Sequence, residues 1–139
     1  MSLAFTFPAG KLVSKEVDKA GNENLDLTPP NYKRWKFVLG TLELEAIGVA
    51  NRVITLTLYD SDSNLVCFYP SSPDITAGQT RRLNVTTSLN WSQTAIMGVW
   101  NYHIGIGEMI LDPGWFLRIS TLNGLAGDTL TGQMVFLEL

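Results

Sequence analysis

Apolar and polar residues alternate with a period of two over most of the chain, which is the pattern of half-buried β-strands. In the first such run Trp35, Phe37 and Leu39 stand on one face. After Gly40 the apolar residues change from odd to even positions. Because one extra residue in a strand produces such a shift, the pattern predicts a β-bulge at Gly40.

Further runs rich in strand-forming residues follow, each bounded by Gly, Pro, Asn, Asp or Ser. They read NRVITLTLYD, NLVCFY, QTRRLNVTT, AIMGVWNY, GEMILD, GWFLRISTL and TGQMVFLEL. With the first run they make about eight strands, and no amphipathic helix is long enough to cover a sheet. The pattern therefore predicts an all-β fold over residues 33–139, an antiparallel β-sandwich or jelly roll.

Residues 1–32 lack a sustained period, and the prolines of TPPN favour extended backbone before the body of the domain. We expect an extended N-terminal arm here. A helix over KLVSKEVDKA, with Leu12, Val13 and Val17 on one face, and a hairpin that turns at DKAGN fit the arm equally well.

The length of 139 residues suits one domain. Six of the ten basic residues lie in the first 36 positions, which gives that part a charge of +2, whereas the whole chain has −3 and the rest therefore −5. This distribution does not predict a nucleic-acid partner. A basic arm on an acidic body favours docking on an acidic neighbour or on another copy, and a merely solvated arm is the alternative.

The first residues, MSLAFTFPAGK, lack the basic flank and apolar stretch of a signal peptide, and no apolar run is long enough to span a bilayer. We therefore expect no membrane partner and synthesis in a cytoplasm. Cys67 lies in the apolar run NLVCFY, which favours a buried thiol over a nucleophile.

Catalytic side chains are few, since the chain has one histidine, His103, and one cysteine. Glu108 and Asp112 flank one short strand, and their spacing puts them about 13 Å apart, beyond the separation that glycoside hydrolases use. We expect no enzyme activity, no metal and no cofactor.

The turn DSDSN has carboxylates and an amide at alternate positions, as at the start of a calcium loop. Leu65 stands where that loop needs glycine, and Ser71 stands where it needs a bidentate glutamate. The segment is therefore predicted to be a hairpin turn.

The four tryptophans are candidates for core or contact positions, and Trp35, Trp100 and Trp115 follow strand patterns typical of a core. Trp91, in the polar turn LNWSQ, is predicted to be exposed. Its partner is another protein or a sugar, since both use flat aromatic surfaces.

The segment LDPGWFLRISTLNGLAGD predicts a tight hairpin turn at Asp112-Pro113-Gly114, then a strand and a loop. On that strand Phe116 and Arg118 lie opposite the core-facing residues, which makes them candidates for contact with another subunit. Asp128 is expected to accept hydrogen bonds from the amides of the NGLAGD loop.

Four segments, taken in order, resemble those of small tailed-phage virion proteins. They read ANRVITLTLYD, ITAGQTRRLNV, MILDPGWFLRISTLNGLAGDTL and MVFLEL, and the resemblance covers about residues 34–139. The chain differs from that family in having Asp112 where a second proline is frequent, and in ending with LEL.

The resemblance implies a capsid decoration or cement protein on the exterior of a phage head, with a jelly-roll body, and often a homotrimer. Its partner would be the major capsid protein. We expect the arm to supply apolar anchors and lysines to that contact: Phe5, Phe7, Leu12 and Val13, with Lys11 and Lys15. The alternative function is a head- or tail-fibre-type module that recognises a host glycan.

Overall fold

The computed structural model describes residues 10–47, 50–76, 78–87, 92–96 and 99–139. These residues form eleven strands: β1 (Lys11–Ala20), β2 (Leu25–Leu27), β3 (Trp35–Glu45), β4 (Val53–Tyr59), β5 (Leu65–Phe68), β6 (Thr80–Thr86), β7 (Ser92–Ile96), β8 (Val99–Gly105), β9 (Ile110–Leu111), β10 (Phe116–Leu122) and β11 (Thr129–Glu138). The described part of the chain holds no helix capable of crossing a membrane.

The strands form two sheets. The larger has the order β1, β11, β3, β6, β8, β7, with β9 beside β3, and the smaller has the order β2, β10, β4, β5. All the pairs are antiparallel except β6 with β8, which is parallel. The predicted all-β sandwich is confirmed.

The core lies between the two sheets, because alternate residues of each strand point inward. Leu42 and Leu44 of β3, Leu117 and Ile119 of β10, and Leu130 of β11 are fully buried there. At one end of the core the ring of Trp35 stacks on that of Phe136, with 4.9 Å between centroids.

The bulge in β3 is present, but it lies two residues before the predicted position. Leu39 pairs with Val135, whereas Phe37 pairs with the next residue of β11, so Val38 is the extra residue. Leu39 consequently faces outward and is 48% exposed, not inward as predicted. Gly40 has another role, since a side chain there would overlap the sulfur of a core methionine.

The prediction of an arm separate from the body is wrong for residues 11–27. β1 pairs with β11 along its whole length, from Lys11 opposite Glu138 to Ala20 opposite Thr129, and β2 pairs with β10. The helix alternative is wrong too. The turn after Ala20 is present, but the strands on its two sides belong to different sheets, so they do not form a hairpin.

The sequence does not predict β1 as a strand of the sandwich, because lysines occupy inward positions of this strand. Lys15 points inward and places its Nζ 5.4 Å from the ring centroid of Trp35. Lys19 is buried, and its Nζ donates to the backbone oxygen of Glu23 at 2.7 Å. Burial lowers the pKa of Lys19, and the charge of Glu23 opposes this shift. Charge at inward positions breaks the alternation on which strand prediction depends.

Two other predicted connections differ from the structure. The run AIMGVWNY is not one strand, because its described residues belong to β7 and β8, which pair antiparallel with each other. At residues 112–115 the predicted turn is present: the backbone amide of Trp115 donates to the backbone oxygen of Asp112 at 3.0 Å, and Gly114 has φ of 83°. However, it joins β9 to β10, which lie in different sheets, so it is not a hairpin turn.

The DSDSN turn joins β4 to β5 as predicted. The carboxylate of Asp60 accepts hydrogen bonds from the backbone amides of Asp62 and Asn64, each at 2.9 Å. This carboxylate therefore stabilises the turn of a hairpin.

Candidate protein-interaction surface

The outer face of the smaller sheet carries the two contact residues predicted on β10. Leu117 and Ile119 are fully buried inside the sandwich, whereas Phe116 and Arg118 are half-buried on the outer surface. The predicted division of this strand into two faces is confirmed.

Arg118 is held in one orientation by a neighbouring strand. Its Nε lies 2.8 Å from Asp26 Oδ1 and its Nη2 lies 3.0 Å from Asp26 Oδ2, a bidentate pair. The pair forms because β2 puts Asp26 directly opposite Arg118. The hydrogen bond to Asp26 raises the pKa of Arg118. Such a fork fixes the plane of the guanidinium as well as its position.

Two aromatic rings support the same guanidinium. Its central carbon lies 5.1 Å from the ring centroid of Tyr59 and 5.5 Å from that of Phe116. The two rings stack on each other at 5.0 Å with an angle of 12° between their planes. They meet because Tyr59 of β4 is opposite Phe116 of β10. An arginine fixed by a carboxylate and two rings has little side-chain entropy left to lose on binding.

Exposed apolar side chains of β5 continue this surface to the edge of the sheet. Leu65 lies opposite Tyr59, and Phe68 lies opposite Thr57, so both point outward. Leu65 is 49% exposed and Phe68 is 73% exposed. We call the surface formed by Tyr59, Phe116, Arg118, Leu65 and Phe68 the aromatic–arginine face.

The other predicted contact residues are not part of this face. Phe5, Phe7 and Trp91 lie outside the described residues. The others lie on β1 of the larger sheet: Lys11, Leu12, Val13 and Lys15.

These β1 residues also point to opposite sides of their strand. Leu12 faces outward with 69% exposure, and Lys11 is 3.8 Å from Glu138. Val13 is half-buried and packs against the core, and Lys15 covers Trp35. The structure therefore leaves only Leu12 of this group as an outward apolar contact.

A second apolar patch surrounds Leu12 on the outer face of the larger sheet. Leu137 is opposite Leu12, and Val135 is opposite the exposed Leu39. The sequence did not predict this patch, because the bulge at Val38 is what turns Leu39 outward.

The candidate catalytic residues are dispersed. Glu108 contacts Lys36 at 3.4 Å, and Asp112 contacts Arg34 at 2.7 Å. His103 is half-buried. Within the described ranges, no three His, Cys, Asp or Glu side chains come together as a metal site would require.

Cys67 points inward beside Leu58 and is half-buried against the core, so the expected burial of its thiol is partial.

One buried charged pair escaped prediction. The side chains of Arg52 and Asp128 are both 0% exposed, with Nε of Arg52 2.7 Å from Oδ2 of Asp128. Nη2 of Arg52 also lies 3.2 Å from Oδ1 of Asp128 and donates to the backbone oxygen of Ile47. Asp128 accepts from the amides of Ile47 at 2.7 Å and Leu125 at 2.9 Å. The predicted capping of the NGLAGD loop by Asp128 is thus confirmed.

This pair joins two of the segments that carry the family resemblance, ANR and AGD. Burial raises the pKa of the Asp128 carboxyl. The hydrogen bonds from the amide of Leu125, the guanidinium of Arg52 and the amide of Ile47 outweigh burial, so the pKa lies below its ordinary value. The pair is therefore ionised at neutral pH, and it ties the loop before β11 to the residues before β4.

Comparisons of the chain with protein-family models, with curated proteins and with solved structures give no match.

Proposed function

We propose that the protein is a non-enzymatic structural protein of a phage virion, which binds the outer surface of the head as a decoration or cement protein. The proposed partner is the major capsid protein, and the proposed contact surface is the aromatic–arginine face. A protein that binds the assembled shell but not free subunits stabilises the shell by mass action.

The observation that carries this proposal is the fixed Arg118 between the carboxylate of Asp26 and the stacked rings of Tyr59 and Phe116. Arginine and aromatic residues are enriched at the centres of protein interfaces. Protein surfaces that are already ordered bind with a smaller entropy cost. The virion assignment itself rests on the order of the four segments that resemble phage virion proteins.

The geometry of this face favours a protein partner over a host glycan. Sugars stack on open aromatic faces, but here the guanidinium of Arg118 lies over both rings, and the two rings stack on each other. Trp91, on which the glycan alternative depends, lies outside the described residues.

The experiment measures how much protein binds to purified heads that lack it. At a protein concentration well below the Kd of the wild type, Arg118→Glu and Phe116→Ala should each lower occupancy by at least about tenfold, the equivalent of about 1.4 kcal/mol. The matched control is Arg82→Glu, because Arg82 also forms a surface pair, with Glu43 at 2.9 Å, but on the other sheet. Wild-type occupancy by Arg118→Glu would contradict the proposed contact surface.

A further inference from the structure

The outer face of the larger sheet carries apolar side chains in two adjacent rows across the strands. The pairing registers place Leu12 opposite Leu137 in one row and Val135 opposite Leu39 in the next. Ile110 of β9 lies further along the first row. Leu12, Leu39 and Ile110 are 69%, 48% and 41% exposed. Apolar side chains grouped in this way on a surface indicate a contact with another molecule. We call these five residues the larger-sheet patch.

Charges of opposite sign lie on the two sides of this patch along β1. Lys11 precedes Leu12 at the start of the strand, its side chain is 76% exposed, and Lys33 lies beside it. Glu16 and Asp18 follow Leu12 on the outer face of the strand, and both are exposed. Within the described ranges neither carboxylate forms an ion pair. The patch therefore has a basic side and an acidic side.

Strand β3 has the same polarity as β1. Lys36 lies in the row of Leu12, at the basic side of the face. Glu43 and Glu45 point outward at the acidic side, in the rows that contain the second half of β1. Arg82 of β6 pairs with Glu43 and compensates one of these charges. The acidic side nevertheless keeps an excess of negative charge, because the carboxylates outnumber this one arginine.

We propose that this face packs against the same face of a second copy of the chain, about a twofold axis that runs across the strands. The axis lies over Val13, Phe136 and Phe37, which are opposite one another in the register and lie between the two rows of the patch. Leu137 of each copy then lies over Val135 of the other. Such an interface is isologous, so every contact occurs twice.

Charge complementarity identifies the occupant as a second copy. Rotation about this axis brings the basic side of one copy over the acidic side of the other, so that Lys11 of each copy lies near Glu16 of the other. A twofold axis along the strands would instead set acidic side against acidic side, which is unfavourable. An unrelated partner would have to supply an apolar patch with both charges in the reverse order, whereas a second copy supplies them by symmetry.

The size of the overlap determines how strongly the copies should associate. The contact extends from Lys11 to Glu16 along β1, about 20 Å, and over four strands, about 19 Å. This area is smaller than the roughly 800 Å² per partner of a standard stable complex. We therefore expect a reversible equilibrium between monomer and dimer.

The larger-sheet patch lies on the opposite side of the sandwich from the aromatic–arginine face. The inference goes beyond the proposed function and does not depend on a capsid. It also differs from the homotrimer that the family resemblance implies, because a patch that contacts itself joins two copies, whereas a ring of three needs two different surfaces. It is tested in solution without heads, so its failure would leave the proposal for Arg118 untouched.

The test measures the dissociation constant of the dimer by sedimentation velocity over a concentration series. Leu39→Lys puts a charge into the patch and should raise this constant by at least about tenfold. Lys11→Glu and Glu16→Lys should each do the same, because each reverses the charge at both symmetry-related contacts. An equal mixture of these two variants should form heterodimers with wild-type affinity, because each contact again joins a lysine and a glutamate.

The matched control is Asp62→Lys, which makes the same change of charge as Glu16→Lys at an exposed position between β4 and β5 of the smaller sheet. It should dimerise like the wild type, and it should not bind Lys11→Glu with wild-type affinity. Heterodimers of Lys11→Glu with Glu16→Lys show that both variants are folded.

Four results overturn the inference. They are a wild type that stays monomeric up to about 1 mM, a wild type that forms trimers, Leu39→Lys that dimerises like the wild type, and a mixture of Lys11→Glu with Glu16→Lys that forms no heterodimer.

Discussion

The guanidinium of Arg52 and the carboxylate of Asp128 form a fully buried ion pair that holds the loop before β11 against the residues before β4. A buried pair is costly to break, because removal of one partner leaves the other charge without compensation. The pair joins the segments ANR and AGD, although 76 positions separate the two residues.

Replacement of Asp128 by alanine should lower the free energy of unfolding by about 3 to 5 kcal/mol, because the charge of Arg52 stays buried. Urea denaturation at neutral pH measures this. The control is Glu43→Ala on the exposed pair with Arg82, where the loss should be at most about 1 kcal/mol. Similar losses of unfolding free energy in the two variants would show that the buried pair of Arg52 and Asp128 contributes no more to stability than an exposed pair does.

The same carboxylate should make stability depend on pH in the acid range. The pKa of Asp128 is lower in the folded protein than in the unfolded chain. Its contribution is therefore complete above the unfolded pKa of about 4 and is lost as the pH falls through the folded pKa. The difference in unfolding free energy between wild type and Asp128→Asn should shrink as the pH falls below about 4. A difference that is constant with pH would contradict this.

Gly124→Ala should destabilise the protein by about 1 to 3 kcal/mol, as overpacking does. A Cβ at this position would overlap the backbone carbonyl of Gly21, in the turn after β1. Thermal unfolding measures the effect, and Ala126→Gly in the same exposed loop is the control. Equal melting temperatures for the wild type and Gly124→Ala would show that the β1–β2 turn does not pack against this loop.

Asp26→Asn should separate binding from stability. The pair with Arg118 is partly exposed, so its loss should cost at most about 1 kcal/mol of unfolding free energy. Binding to heads should still fall, because the guanidinium loses its fixed plane. The variant Glu43→Gln changes the comparable pair on the other sheet and should bind normally. Normal binding by Asp26→Asn would mean that the orientation of Arg118 does not matter.

The sequence predicted well those parts where burial follows a strict period of two. The two faces of β10, with Leu117 inside and Arg118 outside, follow from alternation alone. The position of the bulge does not follow from alternation. Gly40 is needed for close packing, whereas the extra residue in the strand is Val38.

The missed features depend on contacts between residues far apart in the chain. The sequence does not predict β1 as a strand of the sheet because Lys15 and Lys19 occupy inward positions. The distant partners that make these positions acceptable are the ring of Trp35 for Lys15 and the hydroxyl of Thr121 for Lys19, which also donates to nearby backbone oxygens. Two of the five residues of the aromatic–arginine face were predictable, namely Phe116 and Arg118. The positions of Asp26 and Tyr59 beside them were not predictable, because the order of the strands in the sheet places them there and no local sequence pattern indicates that order.

The proposal that the protein is a component of a phage head is tested by its copy number in purified intact particles, measured by quantitative mass spectrometry. The protein should copurify in a fixed and high ratio to the major capsid protein. Its absence from particles, or a ratio suited only to a single vertex or a tail, would show that it is not a decoration protein of the head.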